Sequence, residues 1–135
     1  MNGVGKYIRS GIFAVGGHEW RIRYYPSGSE EDFKDYASVF LGHVGEHIKV
    51  RVVYDFRLAD PATGLSSSVF SSPMVYDSAH PSWGTNMFKK RSELEASYLK
   101  DDCLVIQCDV TVIKESQVGD RDCYQGSCAA LRPVR

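Results

Sequence analysis

Two runs of strict alternation constrain this chain more than any other feature. From Leu104 to Ile113 the even positions Leu104, Ile106, Cys108, Val110 and Val112 are apolar, with Gln107, Asp109 and Thr111 between them. Val50, Val52, Tyr54, Phe56 and Leu58 repeat the pattern against Arg51, Asp55 and Arg57. Successive side chains of a strand point to opposite faces, so each run predicts a strand with one buried face.

His18 to Tyr25 alternates in the same way, Trp20, Ile22 and Tyr24 against Glu19, Arg21 and Arg23, and closes at the turn residues Pro26-Ser27-Gly28-Ser29. Tyr36 to Leu41 is rich in residues that suit a strand, and Ile12 to Val15 and Val69 to Tyr76 are shorter candidates. Asp60-Pro61-Ala62-Thr63-Gly64 predicts a turn between strands. Only the segment from Ser92 to Leu99 reads as helical. Ser92 and Glu95 have capping-box spacing there, and Leu94, Ala96 and Leu99 can face a core. Many short strands separated by turns predict an all-β fold, an antiparallel β-sandwich of about seven to eight strands.

A length of 135 residues suits one domain with a real core. Its 16 basic and 17 acidic residues give a net charge of -1, which provides no bulk attraction for nucleic acid or an anionic membrane. No apolar run approaches the ~20 residues of a membrane span, and the start of the chain has no signal-like apolar stretch. The expectation is a soluble protein of the cytoplasm or nucleus, with its four cysteines reduced.

Catalytic and metal chemistry find little support. Cys103 and Cys108 lie five apart in one strand-like run, on opposite faces, and Cys123 and Cys128 form only a weak C-x4-C signal. His43 and His47 straddle Gly45 and read as loop histidines. His18 has no acidic spacing that suggests a triad or metal shell. A phosphate loop and a nucleophile elbow are both absent from the sequence, so neither an enzyme nor a cofactor is expected. Lys89-Lys90-Arg91, beside Glu93 and Glu95, reads as a solvated surface. Ser66-Ser67-Ser68 with Ser71-Ser72 reads as a mobile loop or edge strand.

Several motifs together carry a family resemblance. They are Phe13-Ala14-Val15-Gly16-Gly17-His18-Glu19-Trp20, Asp35-Tyr36-Ala37-Ser38-Val39-Phe40-Leu41, Ser82-Trp83-Gly84, Arg91-Ser92-Glu93-Leu94 and Tyr98-Leu99-Lys100-Asp101-Asp102-Cys103-Leu104. From about Gly3 to Val118 the chain resembles the MATH (meprin and TRAF homology) domain of plant proteins that pair MATH with BTB/POZ. That resemblance implies a TRAF-like sandwich over 1–118 that starts one strand short, and a divergent tail over 119–135 with no BTB/POZ domain.

The resemblance also implies a shallow groove for extended Ser/Thr-rich peptides, lined here by Phe40, Tyr54, Tyr76, Trp83, Gly84 and Thr85. Aromatic groups supply contact area at low entropic cost, and a nearby backbone can pair with the peptide. By alternation alone Tyr54 belongs to the core, Phe40 is open to either role, and Trp83, between Ser82 and Gly84, sits in a loop-like setting. Thr85 stands where the family has Phe, and Asn86-Met87 replaces a basic pair. An aromatic ring lost from such a groove removes on the order of 1 to 3 kcal/mol of contact. The implied function is substrate recognition for cullin-type ubiquitin ligases. The alternative is a truncated protein that associates or competes with full-length MATH-BTB relatives.

Overall fold

The computed structural model describes residues 3–100, 103–115 and 121–131, from 114 onward as backbone alone. The described strands are β1 (Ile8–Arg9), β2 (Phe13–Val15), β3 (His18–Tyr25), β4 (Tyr36–Val44), β5 (Lys49–Ala59) and β6 (Ser66–Asp77), of which all but β1 were predicted. They continue as β7 (Ser82–Lys90), the helix α1 (Arg91–Ser97), β8 (Leu104–Glu115) and β9 (Arg121–Leu131). All pairings are antiparallel. One sheet runs β1-β3-β4-β7, with β2 also on β3, and the other runs β6-β5-β8-β9. Because β4 takes one edge of β3, β1 and β2 share the other as two pieces of a broken strand.

The alternating residues meet between the sheets. Trp20 and Ile22 from β3, Val39 and Leu41 from β4, Val52, Tyr54, Phe56 and Leu58 from β5, and Ile106, Cys108, Val110 and Val112 from β8 are all 0% exposed. Register aligns them: Val52 opposes Val112, Tyr54 opposes Val110, and Phe56 opposes Cys108. Each such large apolar side chain contributes about 1.5 to 3 kcal/mol through burial. Val15 and His18 are joined through Gly16 and Gly17, whose φ of +62° and +81° match the two-residue turn that a tight hairpin requires.

Four elements differ from the sequence reading. Trp83 lies inside β7 and not in a loop. His43 lies in β4, which extends to Val44. Helix α1 starts at Arg91 with Lys90 as its cap and no side-chain cap bond, so Ser92 does not cap it. The region expected as a tail after Val118 includes β9, which pairs along β8. Strand β8 is therefore flanked on both sides, by β5 and β9, and the open edges of that sheet are β6 and β9. The Ser-rich segment is edge strand β6. The cysteine pair Cys123 and Cys128 falls where side chains lie outside the described residues.

Candidate functional site

Strand β7 ends the five-stranded sheet and β6 ends the four-stranded one, and the two edges lie on the same side of the sandwich. What joins them is Trp83. Its indole Nε1 donates to the carbonyl of Val75 on β6 at 3.2 Å, while part of the ring packs against the core. The tight β6–β7 connection braces the other side of the ring. Asp77 Oδ1 accepts from the backbone N–H groups of His80 and Ala79 at 2.8 and 3.0 Å, and His80 stacks on Trp83 with centroids 5.6 Å apart and planes 21° apart. Those donated bonds, led by that from His80, hold the Asp77 carboxyl below the ordinary aspartate value.

Two apolar side chains of these edge strands are exposed. Val75 on β6 is 44% exposed and Met87 on β7 is 57% exposed. Thr85 is half-buried, and its Oγ1 accepts from the Met87 backbone N–H at 3.2 Å. No described strand pairs with the outer edge of β7, so its free backbone groups can take an added extended chain.

The residues predicted for a groove separate into three places. Trp83 and Thr85 share the inward side of β7 with their register partners Leu41 and Val39, at the edge where they remain partly open. Phe40 and Gly84 oppose one another on the outer face of the sheet. A Cβ on Gly84 would sit 2.1 Å from Val39 O and 2.6 Å from Phe40 Cα, so only glycine fits that approach. Tyr54 and Tyr76 are 0% exposed and lie between the sheets, where a peptide on the surface does not reach them.

The buried tyrosines do structural work of unequal kind. Tyr76 donates from Oη to Leu41 O at 2.8 Å, tying β6 to β4 across the sandwich, and its ring meets Trp20 edge-on at 5.1 Å. The Ser72 hydroxyl donates to Pro73 O, and nothing meets Tyr54 Oη in hydrogen-bond geometry. Burial raises the pKa of both phenols.

Two contributors to the edge escaped the sequence reading. The Asp77-Ser78-Ala79-His80 spacing, an Asx-type turn ahead of Pro81, was the available signal for His80. Val75 had none, since its role depends on a neighbour eight residues on. Among the described residues, no three His, Cys, Asp or Glu side chains gather as a metal site, and no helix is long and apolar enough to cross a membrane.

A family model described as MATH domain matches residues 1–110. The chain is similar to three proteins of Arabidopsis thaliana. It is 38% identical over 121 residues to "BTB/POZ and MATH domain-containing protein 5", covering 82% of this chain and 30% of that protein. It is 37% identical over 127 residues to "BTB/POZ and MATH domain-containing protein 3", covering 87% and 31%. With "BTB/POZ and MATH domain-containing protein 6" the identity is 39% over 121 residues, covering 82% and 29%. The chain thus spans about 30% of the length of these curated relatives.

Proposed function

The chain belongs to the MATH domain family, a family of protein-interaction modules, and we propose that it recognises short extended peptides of partner proteins along the open edge of β7. The observation that carries this reading is Trp83, braced by His80 and by the Val75 carbonyl, on the strand that also exposes Met87 and whose outer edge no described strand pairs. An extended peptide added to that edge gains backbone hydrogen bonds, and its alternate side chains rest on Trp83, Met87 and Val75. Thr85 offers a hydroxyl to a Ser/Thr-rich sequence. Contact through one short strand is modest, so a second domain or repeated motifs would raise the avidity. In the wider reading the peptide belongs to a substrate that a BTB/POZ partner domain presents to a cullin-type ubiquitin ligase.

The test is calorimetric titration with Ser/Thr-rich peptides. Met87→Glu, at an exposed position, and Trp83→Ala are both expected to weaken binding at least roughly tenfold, a difference of about 1.4 kcal/mol. Unchanged affinity in both variants would remove the β7 edge from the interaction.

A further inference from the structure

The outer face of the five-stranded sheet is distinct from the edge on which Trp83 sits. Rings form a row across it: Tyr7 lies 5.3 Å from Tyr25, and Tyr25 meets Phe40 edge-on at 5.7 Å. The Arg23 guanidinium lies 4.9 Å over the Tyr7 ring. Arg9 is the cross-strand partner of Arg23, and Arg21, two residues along β3, points to the same face.

Like charges placed directly opposite in an antiparallel pair repel. Here the Arg9–Arg23 pair is joined by a third cation, and none of the three forms an ion pair with any described residue. The Nε of Arg21 is buried and has no hydrogen-bond acceptor, so the hydrogen bonding of this side chain is incomplete within the chain. Glu19 is the one carboxylate on this side of β3, at its far end opposite Val44. Gly42 opposes Arg21, and Gly84 opposes Phe40, so the floor beside the arginines and rings is low.

The spacing selects a ligand. Arg21, Arg23 and Tyr25 succeed one another on the outer face of β3 at about 7 Å, the same spacing as every second side chain of an extended peptide. We propose that this face docks an extended acidic segment of a partner protein. Carboxylates two residues apart meet Arg21 and the Arg23–Arg9 pair, and an aromatic side chain two residues further covers Tyr25 and Phe40. Charge-assisted hydrogen bonds from guanidinium to carboxylate, with ring contact, supply the recognition. The net charge of -1 gives no long-range pull on a nucleic acid, so a short acidic peptide fits better than a polyanion.

The test is an amide NMR titration of the whole chain with the capped peptide Glu-Ser-Glu-Ser-Tyr, its Gln-for-Glu counterpart, and oligouridylate. Saturable shifts are expected at Arg9, Arg21, Arg23, Tyr25 and Phe40, with the acidic peptide bound at least tenfold more tightly than the Gln form. The Arg21→Gln/Arg23→Gln variant should lose that preference. Arg9→Gln, at an exposed position of a short strand, should weaken binding about threefold with its dispersed spectrum intact, and Trp83→Ala should retain binding. No saturable shift, equal affinity for the Gln peptide, shifts confined to β7, or tighter binding of oligouridylate would each overturn the proposal.

Discussion

The two outer faces of the sandwich start from the same alternation and finish differently. On the four-stranded sheet, the charges of Asp55 and Arg57 on β5 are satisfied within the sheet: Arg57 pairs with Asp55 at 2.8 Å and reaches the Ser66 hydroxyl and carbonyl, and Ser68 donates to Asp55. Beside them, Gln107 donates to Asp109 at 2.9 Å on β8. On the five-stranded sheet, Arg9, Arg21 and Arg23 face rings and glycines, with no carboxylate in ion-pair reach among the described residues. The difference teaches that the neighbouring strand, and not the charged residue itself, decides whether a polar face is complete. Serines and an aspartate complete the first, while glycines and aromatics leave the second open.

The hardest way to break the comparison is to raise the low floor. Gly84→Ala places a Cβ against backbone atoms of β4 that cannot rotate aside, and should cost about 3 kcal/mol in a urea titration. Gly42→Ala, whose nearest atoms would be 3.7 and 3.9 Å away, should change stability by less than about 1 kcal/mol. Equal losses at both positions would show that close packing at Gly84 does not shape this face.

Both faces depend on the sheets staying together, which Tyr76 probes next. Tyr76→Phe removes the hydroxyl that donates to the buried Leu41 carbonyl and should cost roughly 1 to 2 kcal/mol. Tyr54→Phe removes a hydroxyl that has no partner, so thermal melting should show it as stable as the parent or more so. A Tyr54→Phe variant as damaged as Tyr76→Phe would contradict the assignment of that hydroxyl.

On the completed face, a double-mutant cycle on Asp55 and Arg57 should give a coupling below about 1 kcal/mol that shrinks in high salt. A larger value would mean that the serine network makes this pair cooperative.

The gentlest probe is pH. His43 Nε2 lies 2.9 Å from His18 Nδ1, the ring meets Trp20 edge-on, and its own Nδ1 is buried without a partner. Burial first, and then His18, lower its pKa, with Glu19 opposing. The unfolded chain therefore takes up a proton first. Stability is full above about pH 6.5 and falls as pH drops from there towards the lower folded value. Urea midpoints between pH 7.5 and 5 should show the decline, and His43→Gln should flatten it.

Much of the core was readable because alternation is local. His18–Tyr25 is the predicted strand to the residue, and β5 and β8 extend the predicted runs only at their ends. Trp83 was misplaced because Pro81, Ser82 and Gly84 are turn formers by composition. Pairing with β4 overrides that propensity, and Gly84 is required there by the close approach of Phe40. The six groove positions separated for a similar reason. Alternation assigned Tyr54 to the core, whereas the burial of Tyr76 and the outward turn of Phe40 depend on which strands lie beside them. Strand β9 carries no sustained alternation in Arg121–Leu131, so it became visible only through its pairing with β8.

The sequence by itself determined the class of this protein: period-two patterning admits a half-buried strand, and several such strands separated by turns admit a sandwich. It also determined which side of each long strand would be apolar. Only the tertiary structure decided which edges remain open, that Trp83 bridges two sheets through the Val75 carbonyl, and that three arginines share one face with no ion-pair partner among the described residues. The physical reason is that patterning reports each residue's side of its own strand, whereas a site is made of residues on different strands. Their proximity is set by strand order and register, which depend on the whole chain packing at once.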